Sequence, residues 1–175
     1  MITQKQKDYL ETIPDIRVAR VAPFNPATQK VAYKIISEIQ SLLPALKIAY
    51  IGSSKLGVAG ENDIDLNILA GNDFQGVIPV LTKLLGEPKK VKLEKKIIQW
   101  EFIRDDFPVE VFLTDVITQS LQEQFAVEKI LENDKKLLQE FEKIKIQANG
   151  LPWKEYQKRK YEFWNKILGV KEENK

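Results

Sequence analysis

The stretch from Lys47 to Leu69 constrains the fold more than any other part of the chain. Lys47–Ile51 is a short apolar run and reads as a buried strand. It ends in Gly52-Ser53, a tight turn that opens a short helix. Nine residues separate Ser53 from Asp63, and Asp63-Ile64-Asp65-Leu66 then opens a second strand that runs from Ile64 to Leu69. Side chains alternate faces along a strand, so Asp63 and Asp65 point the same way while Ile64, Leu66 and Ile68 point into the core. Two carboxylates about 7 Å apart on one strand face repel, and burying them unpaired costs several kcal/mol. A cation between them removes that cost. Val109-Glu110-Val111 supplies a third acid between apolar neighbours, on a strand able to lie beside the first.

The glycine turn has its own logic. Gly52 permits a backbone that exposes successive amides, and a helix N-terminus favours phosphate. Ser53 and Ser54 are able to hydrogen-bond phosphate oxygens. Lys55 either neutralises them or is an ordinary solvated helix residue. Taken singly, a Gly-Ser turn, an Asp-x-Asp and a strand glutamate are each commonplace, and Glu61-Asn62-Asp63 also reads as a polar turn. In this order and on these elements they point to a site.

The rest of the chain sets the frame around it. Residues 3–12 read as a short polar helix closed by Pro14, and Ile16 to Val21 as a short edge strand. Asn25-Pro26 signals a helix start, with Asn as cap, and apolar residues at helical spacing carry that helix over 26–43. Asn72 or Asp73 caps a further helix to about Leu85. Val91 to Glu94, Ile97 to Ile103 and Phe107 to Leu113 read as three strands in a meander, with Arg104-Asp105-Asp106 the last turn. Residues 116–148 lack Gly and Pro and form one helix or two, broken near Asn133-Asp134. Trp153 to Leu168 is a last helix, and the tail 171–175 is expected to fray. The fold class is therefore α/β (α+β), with a mixed-sheet core over 1–115 and C-terminal helices over 116–170 packed on it as one structural unit.

Composition narrows the chemistry. At 175 residues and 43% hydrophobic the chain has a core to bury. It contains no cysteine and no histidine. Thiolate and imidazole chemistry are excluded, and any metal should be a hard, oxygen-liking ion such as Mg²⁺ or Mn²⁺. No stretch approaches the length of a membrane span and the N-terminus lacks the apolar core of a signal peptide, so a cytoplasmic protein is expected. The net charge of +2 is too balanced to argue for nucleic acid. Five lysines gather near one hairpin at Lys89, Lys90, Lys92, Lys95 and Lys96. Such lysines more often protect an edge strand from pairing than contact a nucleic-acid backbone.

Ile51-Gly52-Ser53, Asp63-Ile64-Asp65-Leu66 and Val109-Glu110-Val111 together resemble the nucleotidyltransferase superfamily of DNA polymerase beta type, over about residues 26–115. A closer resemblance is to the GrpB-like family of that superfamily, over about 24–168. Pro23-Phe24-Asn25-Pro26 stands where that family has a Pro-aromatic-acid/Asn-Pro element, and Tyr50-Ile51-Gly52-Ser53-Ser54 where it reads His-Ile-Gly-Ser-Thr. Tyr156, Lys160 and Phe163 fit its C-terminal Tyr-x-x-x-Lys-x-x-Phe.

The resemblance implies a nucleotidyltransferase fold and metal-dependent transfer of a nucleotidyl group from an NTP to a hydroxyl acceptor, whether small molecule, RNA or protein. Asp63, Asp65 and Glu110 would be the catalytic and metal-binding acids, with Mg²⁺ (or Mn²⁺) as cofactor. Gly52, Ser53, Ser54, Lys55 and Lys160 would bind the nucleotide. Lys160 shares an apolar stripe with Trp153, Tyr156, Phe163 and Trp164, and it either snorkels or aims its amine at the acids. Lys158-Arg159-Lys160 reads equally as a solvated basic face. Tyr50 and Ser54 depart from the family motif, and they motivate the alternative of a catalytically inactive nucleotide- or partner-binding module.

Overall fold

A computed structural model describes residues 1–170. The expected fraying of 171–175 lies outside the described residues. Five strands, Lys47–Ile51 (β1), Ile64–Leu69 (β2), Lys90–Lys92 (β3), Ile97–Arg104 (β4) and Phe107–Thr114 (β5), form one mixed sheet in the order β1-β2-β5-β4-β3. β2 and β5 run parallel and every other pair runs antiparallel. The β3–β4–β5 meander produces this order, because its two antiparallel returns bring β5 back alongside β2. The β4–β5 hairpin turns at Asp105 and Asp106, whose φ of 50° and 67° match the left-handed pair that a two-residue turn requires.

The period-2 pattern divides the sheet into two faces. Ile64, Leu66 and Ile68 of β2, Val109, Val111 and Leu113 of β5, and Ile98 and Trp100 of β4 are all buried on one face. They form the main core with Ala27–Leu42 (α2) and Phe74–Leu85 (α4). α2 contributes Val31, Ala32, Ile35 and Ile39 from one helical stripe. Trp100 also satisfies its indole N–H, which donates to the Gly86 carbonyl at 2.9 Å. The intervening positions, Asp65 and Asn67 on β2 and Glu110 and Phe112 on β5, lie on the opposite face.

That second face is overlaid by helices from both ends of the chain. These are Gln4–Glu11 (α1), Gln119–Asn133 (α5), Lys135–Gln147 (α6) and Trp153–Leu168 (α7). α1 packs on α7, and α5, α6 and α7 pack on one another. A short helix, Ser53–Leu56 (α3), joins β1 to the acid-bearing loop and packs against α5. Two satellite clusters hold this layer together. One gathers Leu10, Ile13, Ala148, Trp153 and Tyr156, and the other gathers Val127, Leu131, Phe141 and Phe163. The break between α5 and α6 falls at Asp134, whose carboxylate accepts from the amides of Lys136 and Leu137 and so starts the next helix.

Three local expectations change. Ile16 to Val21 is not a strand, and its backbone instead pairs with the loop before α7. Ala19 N–H donates to Leu151, Gly150 N–H donates to Ala19, and Val18 bridges Pro152. Pro26, not Asn25, stands at the cap position of α2, but the Asn25 side chain still accepts from Ala27 N–H at 3.0 Å. β3 ends at Lys92 because Leu93–Lys95 coils into a 3₁₀ turn closed by Lys96 with φ 50°.

The packing of β2 between its neighbours makes Leu66 a sharp probe of the core. Leu66→Ala is expected to lower unfolding free energy by about 2–5 kcal/mol, the range for cavity-forming truncations at fully buried sites. Urea titration of both proteins measures it, and a change under 1 kcal/mol would contradict the assigned core face.

Candidate functional site

Above the polar face of the sheet is a cavity of about 290 Å³ lined by Gly52, Ser53, Glu61, Asp63, Asp65, Glu110, Lys145 and Lys160, with Arg17 and Tyr156 at its wall. Each acid is placed by its own stretch of chain. In the parallel β2–β5 register Asp65 sits directly opposite Glu110, so the two carboxylates leave the sheet side by side on one face. Asp63 lies one residue before β2, and its backbone carbonyl accepts from the Ser54 hydroxyl at 2.6 Å. Glu61 precedes it on the same loop.

That loop is braced from outside. Ala22 and Gly60 exchange two backbone hydrogen bonds, at 2.7 and 3.0 Å. The Asn62 side chain accepts from Asn25 N–H and donates to the Pro23 carbonyl, both at 3.1 Å. The Pro23-Phe24-Asn25-Pro26 element thus clamps the acid-bearing loop as well as starting α2. Gly52 is required on both conformational and steric grounds. Its φ is +91°, and a Cβ there would stand 2.8 Å from Asp65 Oδ2.

The electrostatics follow from four acids sharing one small, half-buried space. Burial lifts the Asp65 carboxyl well above the ordinary range, and the charges of Asp63 and Glu110 push it further while Lys160 opposes them. Burial raises Glu61 to about 7, with Asp63 adding to the shift. Glu110 is raised by burial and then by Glu101, its register partner on β4. The Gln99 amide spans that pair, donating to Glu101 at 2.7 Å and to Glu110 at 3.3 Å. The lysines experience the reverse. Burial lowers Lys145 to about 8, with repulsion from Lys160 contributing and the acids opposing. Burial also lowers Lys160, against the pull of Asp65, Glu61 and Asp63.

The structure brings Asp63, Asp65, Glu110, Gly52, Ser53 and Lys160 to this one cavity. It places the other two anticipated nucleotide-binding residues elsewhere. Ser54 is buried beneath the acid loop, with its hydroxyl committed to Asp63. Lys55 points to α5, where it pairs with Glu128 at 3.0 Å and Glu132 at 2.7 Å. Among the described residues, no group of three or more acids is assembled to hold a metal ion. Asp63, Asp65 and Glu110 nevertheless line the same cavity. The donor set, all carboxylate oxygen, is of the type that suits a hard divalent cation.

Sequence reasoning passed over several residues. Lys145 is 3% exposed, with its amine donating to Ser53 Oγ. Its signal was a lysine falling in the same stripe as Leu138 and Phe141. Glu128 is equally buried and accepts from Gly52 N–H at 2.8 Å as well as from Lys55 and Gln124. Its signal was likewise an acid in the Leu121–Val127–Leu131 stripe. Arg17 stacks 3.8 Å over Trp153, a contact that no local pattern announces.

The five-stranded mixed sheet, flanked by helices on both faces, is an α/β fold with counterparts among solved structures. The chain shares it with GrpB from Enterococcus faecalis, at a TM-score of 0.61 and 15% identity over 85% of this chain and 99% of that one. At this identity the likeness shows a shared fold. A chain of the GLD-2/RNP-8 complex is similar at a TM-score of 0.53 and 16% identity, over 94% of this chain and 63% of that one. Cid1 poly(U) polymerase with MgGTP bound gives 0.48 at 13% identity, over 77% and 43%. At the level of sequence, no family model and no curated protein matches. Among the described residues no helix is long and apolar enough to cross a membrane.

The shifted groups set a pH dependence. Glu61 has a folded pKa of about 7 against an ordinary 4.5, so in that window the folded state keeps a proton that the unfolded chain has lost. Stability therefore falls as pH rises from about 4.5 to about 7. Lys145 has a folded pKa of about 8 against an ordinary 10.5, so there the unfolded chain holds the extra proton and stability rises with pH. Urea midpoints measured across pH should pass through a minimum between these windows. Glu61→Gln should make the acid-side fall shallower, leaving the part due to Asp65 and Glu110, and should leave the alkaline rise.

Proposed function

We propose that the protein transfers a nucleotidyl group from an NTP to a hydroxyl acceptor. The observation that carries this reading is the register pairing of Asp65 with Glu110 on parallel strands, with Asp63 beside them and the Gly52-Ser53 turn across the same cavity. Asp63, Asp65 and Glu110 would hold Mg²⁺ or Mn²⁺. When bound, such an ion neutralises phosphate charge and stabilises the attacking and leaving oxygens of an in-line displacement. The chain's own residues supply the remainder. Ser53 and the backbone of the glycine turn orient the β- and γ-phosphates. Lys160 and Lys145, on α7 and α6, carry positive charge to the triphosphate side. The acceptor oxygen bonds to the α-phosphorus as the bond to the β-phosphate's bridging oxygen breaks, and pyrophosphate leaves. Glu110, on the strand beside Asp65, takes the hydroxyl proton.

A second reading, an inactive nucleotide- or partner-binding module, is favoured by Glu128. Its carboxylate accepts from the Gly52 amide and pairs with Lys55, two of the groups that would otherwise meet phosphate. A carboxylate held there competes with a triphosphate oxygen for the same donor.

Thermal unfolding separates the two readings from a null result. Mg²⁺ or Mn²⁺ should raise the melting midpoint, more so with an NTP present. A ligand at a hundredfold excess over Kd stabilises by about 2.7 kcal/mol. Asp63→Asn should abolish the metal increment, and a mutant that responds as wild type does would remove these acids from the site. Mg²⁺-dependent incorporation of labelled NTP then distinguishes transfer from binding alone.

Lys160→Met should preserve fold and metal response but weaken NTP binding by about 1–2 kcal/mol, the scale of one charge-assisted hydrogen bond. Calorimetric titration measures it, and unchanged affinity would confine α7 to a packing role.

A further inference from the structure

A second and larger cavity, of about 710 Å³, continues from the first along the polar face of the sheet. The two share Tyr9, Asn67, Phe112, Gln124, Lys160 and Trp164, so they meet at a common wall. The strand register gives the direction. Asp65 opposes Glu110, Asn67 opposes Phe112, and Leu69 opposes Thr114. Thr114, in the far part of the larger cavity, therefore lies two strand repeats beyond Glu110, about 13 Å along the sheet.

Three observations describe what this space would accept. The first is unpartnered polarity. Thr114, a residue of the cavity wall, is 5% exposed, and its buried hydroxyl has no hydrogen-bond partner; the indole N–H of Trp164, a residue of the shared wall, is also buried and unpartnered. An unpaired buried donor is costly, so a ligand that accepts and donates hydrogen bonds gains by drawing these two side chains into contact. The second is an aromatic wall. Tyr9, Tyr161 and Trp164 form a continuous edge-to-face series, with centroid separations of 6.2 and 6.1 Å, and Phe112 rises from the sheet below. The third is charge. Lys5, Glu123 and Lys160 are the charged members of the wall, mixed in sign, and the rest is amide, hydroxyl and aromatic, with Ile97 and Leu121 the aliphatic members. A phosphodiester chain needs a run of cations, which this wall lacks.

The geometry points to the larger cavity as the acceptor subsite, built for an uncharged, hydroxyl-bearing compound of two rings, nucleoside- or disaccharide-sized. One ring lies against Trp164 and Phe112, with its polar edge at Thr114. The hydroxyl at the other end reaches Glu110. The volume is that of a small-molecule pocket, and its pattern of aromatic walls with a few convergent polar groups is how such pockets fix orientation. The acceptor role rests on the nucleotidyl-transfer reading, but the binding itself does not.

The test uses the indole N–H resonance of Trp164 in ¹⁵N-labelled full-length protein, assigned with Trp164→Phe among the three tryptophans. Ribonucleosides (adenosine, uridine) form one arm, uncharged disaccharides (maltose, cellobiose) a second, and an oligoribonucleotide a third, all without metal or NTP. One of the uncharged arms should shift the Trp164 signal saturably. Thr114→Val should weaken that binding roughly tenfold, the equivalent of one buried hydrogen bond, and Thr114→Ser should restore it. Asp63→Asn should leave it unchanged. If transfer fails but this binding persists, the nucleotidyl-transfer reading falls and the cavity's ligand class stands. The assignment is overturned if neither uncharged arm moves the signal, if Thr114→Val binds as wild type does, or if the oligoribonucleotide alone binds there.

Discussion

Holding Glu61, Asp63, Asp65 and Glu110 around one cavity is the constraint to which the surrounding structure answers. Each additional carboxylate raises the free energy of charging the others, and burial multiplies the effect by weakening solvent screening. The protein offsets part of that repulsion by protonation, with Asp65, Glu61 and Glu110 all raised, and part by counter-charge from Lys145, Lys160 and Arg17. Neither remedy is complete, because the lysines are themselves lowered by burial. The cavity thus rests in a state that a bound cation, or an anion carrying one, would relieve.

The need for those cations explains the place of the C-terminal helices. α6 delivers Lys145 and α7 delivers Lys160, and neither amine would reach the acids unless both helices were docked over the polar face of the sheet. The docking is apolar, through the stacked Phe141–Phe163 pair and the Val127–Leu131 stripe. α5 adds Glu128, which ties the glycine turn to the helical layer through the Gly52 amide. The same packing leaves the larger cavity open between α1, the N-terminal turn of α5 and α7, and so sets its shape.

Binding and structure are consequently hard to separate here. Ser54 illustrates the point. A serine beside a glycine turn reads as a phosphate ligand, yet its hydroxyl holds the acid loop by donating to the Asp63 carbonyl. Lys55 does likewise through α5. Both residues sit where a phosphate motif places them in sequence, and the turn of α3 carries their side chains away from the cavity.

The sequence by itself determined where the five strands of the sheet lie, which of their side chains share a face, and the acids Asp65 and Glu110 on that face. Strand alternation is a local property, so Ile64-Asp65-Leu66 and Val109-Glu110-Val111 declare which side chains share a face before any partner is known. Breaks at Asp134 and Pro152 were legible for the same reason, since caps and prolines act within a turn of their own position. Tertiary structure alone decided that Ile16–Val21 pairs with a loop and not a sheet edge, that Glu128 rather than a free amide faces Gly52, and that Lys145 and Arg17 join the acids. These contacts link residues far apart in the chain, and their free energy comes from burial and charge in a shared space. A periodic pattern marks such a residue as facing inward but does not name what it will face.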